Sequence, residues 1–191
     1  MTPIRFLLVV TLLTPLACGH SSTVADDKPS DSAISAAAGP LVTRERILLN
    51  LAGAERIIAA AKQKGTAMGL NLNIAVVDDG GHLLAFARMD GARPASGYTA
   101  LTKAVTSATF RQETGPFPPH REPDLLLNLS LQNAAQASGG KVTTLKGGVP
   151  VLVDRQVIGG VGVGGGTGEQ DAEVAKAGIQ ALLTALNEKN Q

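Results

Sequence analysis

The chain alternates between stretches of helical and of strand-like spacing, and the first clear helical stretch follows Gly53. Its apolar residues recur at i, i+3, i+4 and i+7, which places them on one face of a helix. Gly65 and Gly69 predict the exit from this helix. Before it, Thr43 is a candidate N-cap for a shorter helix that runs towards Leu51. The residues that carry the helical pattern are Ala54, Ile57, Ile58 and Ala61.

Two β-hairpins are predicted from apolar runs that flank turn residues. Residues 72–77 read LNIAVV, residues 78–81 form an Asp-Asp-Gly-Gly turn signal, and residues 82–89, HLLAFARM, resume a strand. A second hairpin occupies residues 151–163, with its turn at Asp-Arg-Gln. The segment KVTTL, residues 141–145, predicts a further short strand.

Two more helices are predicted from clear signals, one capped by Ser96 and one that begins at Thr167, and residues 124–136, DLLLNLSLQNAAQ, are helical by composition with weak periodicity. The first has an apolar stripe and a polar side that includes Lys103. In the second, Thr167 and Gln170 match a capping box, in which each side chain satisfies the other's free N–H group. Successive hairpins with helices between them favour an α+β fold with an antiparallel sheet. The apolar stripes consist of Ala100, Leu101, Ala104, Val105 and Ala108, and of Ala175, Ile179, Leu182 and Leu186.

Composition supports one folded domain and argues against nucleic acid as a partner. Hydrophobic residues make up 44% of the 191 residues, whereas aromatic residues make up only 3%. The formal net charge is +1, and the basic residues form no stripe. Without a basic surface or stacking aromatic residues, the chain is not expected to bind nucleic acid.

The first residues have the pattern of an export signal. Arg5 precedes a short apolar run, which predicts a signal peptide over residues 1–17 rather than a membrane span. The sole cysteine, Cys18, follows Pro-Leu-Ala, which resembles a bacterial lipobox; the alternative is ordinary cleavage and a soluble product. Residues 18–40 read as a disordered tether, and residues 41–191 as the folded domain. The expected location is the periplasm or cell envelope, with membrane contact only through a lipid on Cys18.

Four motifs, in this order, resemble the GlcG/HbpS family over about residues 43–186. They are IAVVDDGGHLLAFARMDGA, SGYTALTKA, GGVPVLVD and IGGVGVGGGTGEQDAEVAKAG. The resemblance implies a profilin-like α+β fold with a five-stranded antiparallel sheet flanked by helices, and homo-oligomers. It also implies haem or cobalamin binding, with haem degradation in some members. The chain departs from the family at Gly164, where a serine is usual, and at Gly168, where proline is frequent.

Haem requires an axial ligand, and His82 is the residue predicted to provide it as the metal ligand. It follows the Asp-Asp-Gly-Gly turn, where a side chain can stand clear of the sheet. The alternative is a histidine that merely bonds Asp78 or Asp79. His120, in the proline-rich loop over residues 115–123, reads as ordinary surface.

Cations for the carboxylates of a ligand are predicted at Arg88 and Lys103. His82 and Arg88 are six residues apart, so a regular strand would point both to one face. Gly165 and Thr167 would lie at the edge of the same pocket, where free N–H groups at a helix start favour anions. The alternative for Arg88 and Lys103 is that they are ordinary solvated charges. The alternative for Gly165 and Thr167 is that they form only a glycine-rich bend and a helix cap.

These features favour an exported small-ligand-binding protein that binds haem or a related tetrapyrrole. Two alternatives stay open: an enzyme that acts on haem or a small oxygenated acid, and an oligomeric accessory protein of a membrane sensor. Binding is favoured over catalysis because the sequence contains no convincing catalytic set.

Overall fold

The computed structural model describes residues 46–119 and 121–189. The predicted signal peptide, tether, Cys18 and Thr43 cap, as well as His120, lie outside these residues. None of the described helices is both long and apolar enough to cross a membrane. The elements are α1 (Leu51–Ala67), β1 (Asn73–Asp78), β2 (Leu83–Arg88), α2 (Ser96–Phe110), α3 (Leu125–Ala135), a 3-10 turn (Gln136–Ser138), β3 (Gly148–Val153), β4 (Gln156–Gly164) and α4 (Gly168–Lys189).

The strands form an antiparallel sheet in the order β2-β1-β4-β3. Both predicted hairpins are therefore confirmed, as is the α+β class. Within the described residues the sheet has four strands, not the five that the resemblance implies. The predicted strand at residues 141–145 is irregular chain instead, because the N–H of Thr143 donates to Thr106 Oγ1 at 2.9 Å rather than to a strand. The profilin-like arrangement stays a prediction.

The first helix begins earlier than its spacing predicts and ends between the two glycines predicted to mark its exit. The side chain of Asn50 accepts the N–H of Gly53 at 2.9 Å, so Asn50 is the N-cap and Gly53 lies in the first turn. Residues 46–50 are not helical, so the predicted break between two helices near Gly53 is wrong. The helix passes Gly65 and ends before Gly69, whose φ of 69° is left-handed.

One face of the sheet packs against α1 and α4 through an aliphatic core. Because the chain has few aromatic residues, branched aliphatic side chains fill this space, and the stripe predicted for α4 is confirmed as its buried face. The fully buried members with the largest side chains are Ile57, Leu72, Ile74, Val76, Val151, Val161, Val163 and Val174.

The other face of the sheet lies directly under α2. Gly160, Gly162 and Gly164 alternate along β4 towards this helix, and a Cβ atom on any of them would overlap a backbone oxygen of α2. The helix backbone therefore touches the strand backbone, which only glycine permits. The predicted apolar stripe of α2 is confirmed as its buried face, with Leu101 partly buried at its margin.

Candidate functional site

His82 lies at the turn that joins β1 to β2, and Asp78 holds it in place. Asp78 Oδ1 accepts the N–H of Gly80 at 2.9 Å and the N–H of His82 at 2.8 Å. The ring Nδ1 of His82 lies 3.2 Å from both carboxylate oxygens of Asp78. An ionised carboxylate only accepts hydrogen bonds, so Nδ1 carries the proton in this contact. The histidine side chain is 82% exposed, and its Nε2 has no partner among the described residues.

Hydrogen bonds control the ionisation of Asp78. Partial burial acts to raise its pKa, but the N–H groups of His82 and Gly80, together with the imidazole, lower the pKa below its usual value. Asp78 is therefore a carboxylate at neutral pH. Beside it, Asp79 forms an ion pair with Arg46, whose side chain is 59% exposed. The turn thus combines an oriented imidazole with an adjacent cation.

Arg88 does not share a face with His82. It is exposed at the far end of β2, about 20 Å away along a six-residue strand. The register also shifts, since Val76 pairs with Ala85 and Val77 pairs with Leu83. This bulge adds one residue to β2 and breaks the alternation on which the prediction depended.

Lys103 is buried, and this position contradicts its predicted role as a ligand-facing cation. Its Nζ donates to Asp171 Oδ2 at 2.7 Å and to the carbonyl oxygen of Val163 at 2.8 Å. The residue is only 4% exposed, because the side of α2 that reads as polar also faces the sheet and α4. A propionate could not reach this ammonium group without breaking the ion pair.

The Gly165–Thr167 bend is already closed by its own helix. The N–H of Gly166 donates to Asp171 Oδ1 at 3.0 Å, and the N–H of Thr167 donates to Gln170 Oε1 at 2.9 Å. The N–H of Gln170 donates to Thr167 Oγ1 at 3.3 Å, which confirms the predicted capping box. These N–H groups therefore serve the fold and are not open to an anion.

The acidic residues at the first hairpin turn and at the start of α4 lie apart from each other. Asp78 and Asp79 lie at the first hairpin turn, whereas Glu169 and Asp171 lie at the start of α4. Across residues 46–119 and 121–189, no three histidine, cysteine or acidic side chains come together in a metal-binding cluster. Of the residues predicted for the site, His82 alone offers an open donor for a metal.

A groove of about 980 Å³ lies beside the start of α4, where the sequence predicted only an irregular loop. Its wall is formed by prolines, and its rim carries two ion pairs: Lys146–Glu169 at 2.9 Å and Lys176–Glu113 at 2.8 Å. Arg121 adds a further cation to the lining. In the sequence, the only sign of this groove is the cluster of prolines. Such a cluster predicts a rigid segment, but it does not show which other residues line the groove opposite it. The prolines of the wall are Pro116, Pro118, Pro119 and Pro123.

Comparison with known proteins agrees with the fold and the motifs. A family model described as "Haem degrading protein HbpS-like" matches residues 49–180. Protein GlcG of Escherichia coli K12 is 41% identical over 120 residues, which cover 63% of this chain and 84% of GlcG.

Two solved structures are also similar to this chain. The Klebsiella pneumoniae protein ORFY shares 29% identity with a TM-score of 0.64, over 76% of this chain and 98% of that one. A PduOC–haem complex shares 27% identity with a TM-score of 0.59, over 71% of this chain and 95% of that one. Since the family model matches more than half of the chain, the chain belongs to the HbpS-like family.

Proposed function

We propose that this protein binds haem or a related tetrapyrrole, with Nε2 of His82 as the axial ligand of the iron. The observation that carries the proposal is the exposed imidazole that Asp78 holds through Nδ1. The description of the family and the similarity to a PduOC–haem complex support a tetrapyrrole as the ligand.

The residues at this turn suit an iron ligand. Histidines that bind metals almost always donate their other ring N–H to a carboxylate or carbonyl, which fixes the tautomer and orients the ring. Asp78 provides that carboxylate for His82. Bound haem would supply the redox chemistry on which any haem degradation depends. The chain itself would orient the imidazole and keep its Nδ1 proton in place.

For this site we propose a different cation from the two that the sequence predicted. Arg88 lies at the other end of β2, and Lys103 forms a buried ion pair with Asp171. Arg46 contacts Asp79 of the His82 turn and is largely exposed. We therefore assign to Arg46 the role of meeting a ligand carboxylate, for which a guanidinium group has a suitable planar geometry.

The proline-lined groove is a second candidate position for the same ligand. Its volume of about 980 Å³ lies at the upper end of ordinary ligand pockets. In the sequence, His120 stands between Pro119 and Arg121, both of which line the groove. The sequence therefore offers His120 as the alternative axial ligand to His82.

Titration of the purified protein with haemin, followed by absorbance, tests the proposal. We expect a shifted Soret band that saturates at one haemin per chain. Addition of ascorbate then distinguishes binding from degradation, since binding alone leaves haem bound, whereas degradation abolishes the band. Absence of any haemin binding would contradict the proposal and leave a small carboxylate as the better ligand.

We further propose that the protein is exported and anchored to a membrane by a lipid on Cys18. The export signal over residues 1–17 and the lipobox-like sequence before the sole cysteine support this proposal. An exported location would place the binding domain where it meets haem outside the cytoplasm.

A further inference from the structure

The turn between β1 and β2 holds a carboxylate behind the imidazole of His82, next to the nitrogen that does not face outwards. Both carboxylate oxygens of Asp78 lie 3.2 Å from Nδ1 of His82. Nε2 is on the other side of the ring, and the histidine side chain is 82% exposed. A metal bound at Nε2 would therefore have a negative charge directly behind its ligand.

The carboxylate of Asp78 is held in place by the backbone of the same turn. Its Oδ1 accepts the N–H of Gly80 at 2.9 Å and the N–H of His82 at 2.8 Å. Although partial burial acts to raise the pKa of Asp78, these hydrogen bonds and the imidazole lower it below its usual value. At neutral pH the turn thus carries a fixed negative charge in contact with the imidazole.

The other charges of the turn do not cancel this one. Asp79, the next residue along the chain, forms its ion pair with Arg46. Among the residues that the structure describes, the partner of Asp78 within ion-pair distance is His82 itself, and neither lysine nor arginine joins them. The charge of Asp78 therefore acts mainly on the imidazole that it contacts.

A carboxylate in this position affects the two oxidation states of haem iron differently. It makes the histidine a more basic and more electron-donating ligand, because it accepts the Nδ1 proton. Ferric haem carries one more positive charge than ferrous haem, so its attraction to a nearby negative charge is stronger. Hydrogen bonding to the axial ligand is one of the means by which a protein sets the reduction potential of haem.

We infer that Asp78 makes the His82 site selective for ferric over ferrous haem. This inference rests on the proposed function, in which His82 is the axial ligand. Asp78 acts through the imidazole and is a positioning residue. Binding and reduction are linked, so each tenfold preference for ferric haem lowers the midpoint potential of the bound haem by about 59 mV.

The variant Asp78→Asn separates the charge of Asp78 from its role in the turn. The asparagine oxygen still accepts the N–H groups of Gly80 and His82 but carries no charge. Titration with haemin and with dithionite-reduced haem, followed by absorbance, gives the two affinities. We expect Asp78→Asn to lose about tenfold in affinity for ferric haem, at the low end for a residue behind a metal ligand because water screens this turn. Its affinity for ferrous haem should fall less.

The reduction potential and the iron–histidine bond provide independent measurements. In a spectroelectrochemical titration, Asp78→Asn should have a higher midpoint potential than the wild type. Resonance Raman spectra of the ferrous form should show a lower iron–histidine stretching frequency, because the imidazole donates less electron density. The matched control is Asp90→Ser, which removes an exposed acid beyond the far end of β2 and should leave the affinities, the potential and the frequency as in the wild type.

The outcomes distinguish this inference from the proposed function. If His82→Ala binds haemin with the wild-type spectrum, the axial role of His82 fails and the inference fails with it. If His82→Ala loses the wild-type spectrum but Asp78→Asn keeps the wild-type potential, the inference alone is overturned. Equal losses of affinity for ferric and ferrous haem would also overturn it, since Asp78 would then only orient the ring. Should Asp78→Asn misfold, Asp78→Ser replaces it, because a serine hydroxyl also accepts N–H groups in turns.

Discussion

At the scale of single residues, Lys103 and Asp171 form an ion pair between α2 and α4, away from water. Both side chains are almost fully buried, and the ammonium group also donates to the carbonyl oxygen of Val163. Asp171 uses its second oxygen to accept the N–H of Gly166. The pair therefore joins two helices, a strand and the glycine bend before α4.

Replacement of Lys103 by methionine should destabilise the fold by about 3–5 kcal/mol, because it leaves the carboxylate of Asp171 buried without a counter-charge. Urea unfolding measures this loss. The matched control is Lys176→Met, which breaks the exposed Lys176–Glu113 pair and should cost at most about 1 kcal/mol. Equal small losses in both variants would contradict the structural role of Lys103.

Asp78 should make stability depend on pH in the acidic range. Its pKa is lowered in the folded protein, so its ionised form stabilises the fold above the unfolded pKa, and this contribution is lost as pH falls through the folded value. Asp78→Ala should therefore be less stable than the parent at neutral pH, and the difference should shrink below about pH 4. Thermal unfolding at a series of pH values measures it; a difference that does not change with pH would count against this account.

At the scale of elements, the contact of α2 with β4 depends on the absence of side chains on the strand. Gly162 is the most crowded position, since a Cβ atom there would overlap both the carbonyl oxygen of Ala100 and the backbone of Ala104. The strand and the helix are both backbone at this point, so neither can relax by changing a rotamer.

Gly162→Ala should push α2 off the sheet and cost about 3 kcal/mol or more in the free energy of unfolding. Chemical denaturation measures the effect. Gly115→Ala is the control, since its added Cβ would meet only the flexible side chain of Lys146 at 3.4 Å. If Gly162→Ala unfolds at the same denaturant concentration as Gly115→Ala, the close packing of α2 is wrong.

The hairpins and the last helix could be predicted because their signals are local. A turn of glycines and aspartates between apolar runs, or Thr167 three residues before Gln170, determines structure within a few residues. The register shift in β2 and the irregular chain at residues 141–145 could not be predicted from the sequence. They depend on partners distant in sequence, such as Thr106, which bonds the N–H of Thr143.

At the scale of the whole molecule, the three side chains predicted to bind the ligand lie in three separate regions. His82 lies at a hairpin turn, Arg88 at the far end of β2, and Lys103 inside the domain. The local sequence could place His82 beside a turn. It could not tell a solvated lysine from a buried one, because Asp171 faces Lys103 from 68 residues away.

Export with lipid attachment predicts that labelled palmitate enters the wild-type protein and does not enter Cys18→Ala. The physical reason is that Cys18 is the sole thiol in the chain and follows an export signal. Metabolic labelling in a bacterial host measures incorporation. A mature N-terminus that begins beyond Cys18 would contradict anchoring and indicate ordinary cleavage.

The identity of the axial ligand tests the central claim most directly. The measurement is a haemin titration of the wild type, His82→Ala and His120→Ala, followed by absorbance and by electron paramagnetic resonance of the ferric iron. If His82 is the axial ligand, His82→Ala shifts or abolishes the Soret band and changes the ferric signal, while His120→Ala leaves both as in the wild type. An unchanged spectrum in His82→Ala, with the band lost in His120→Ala, would contradict the assignment and make His120 the axial ligand.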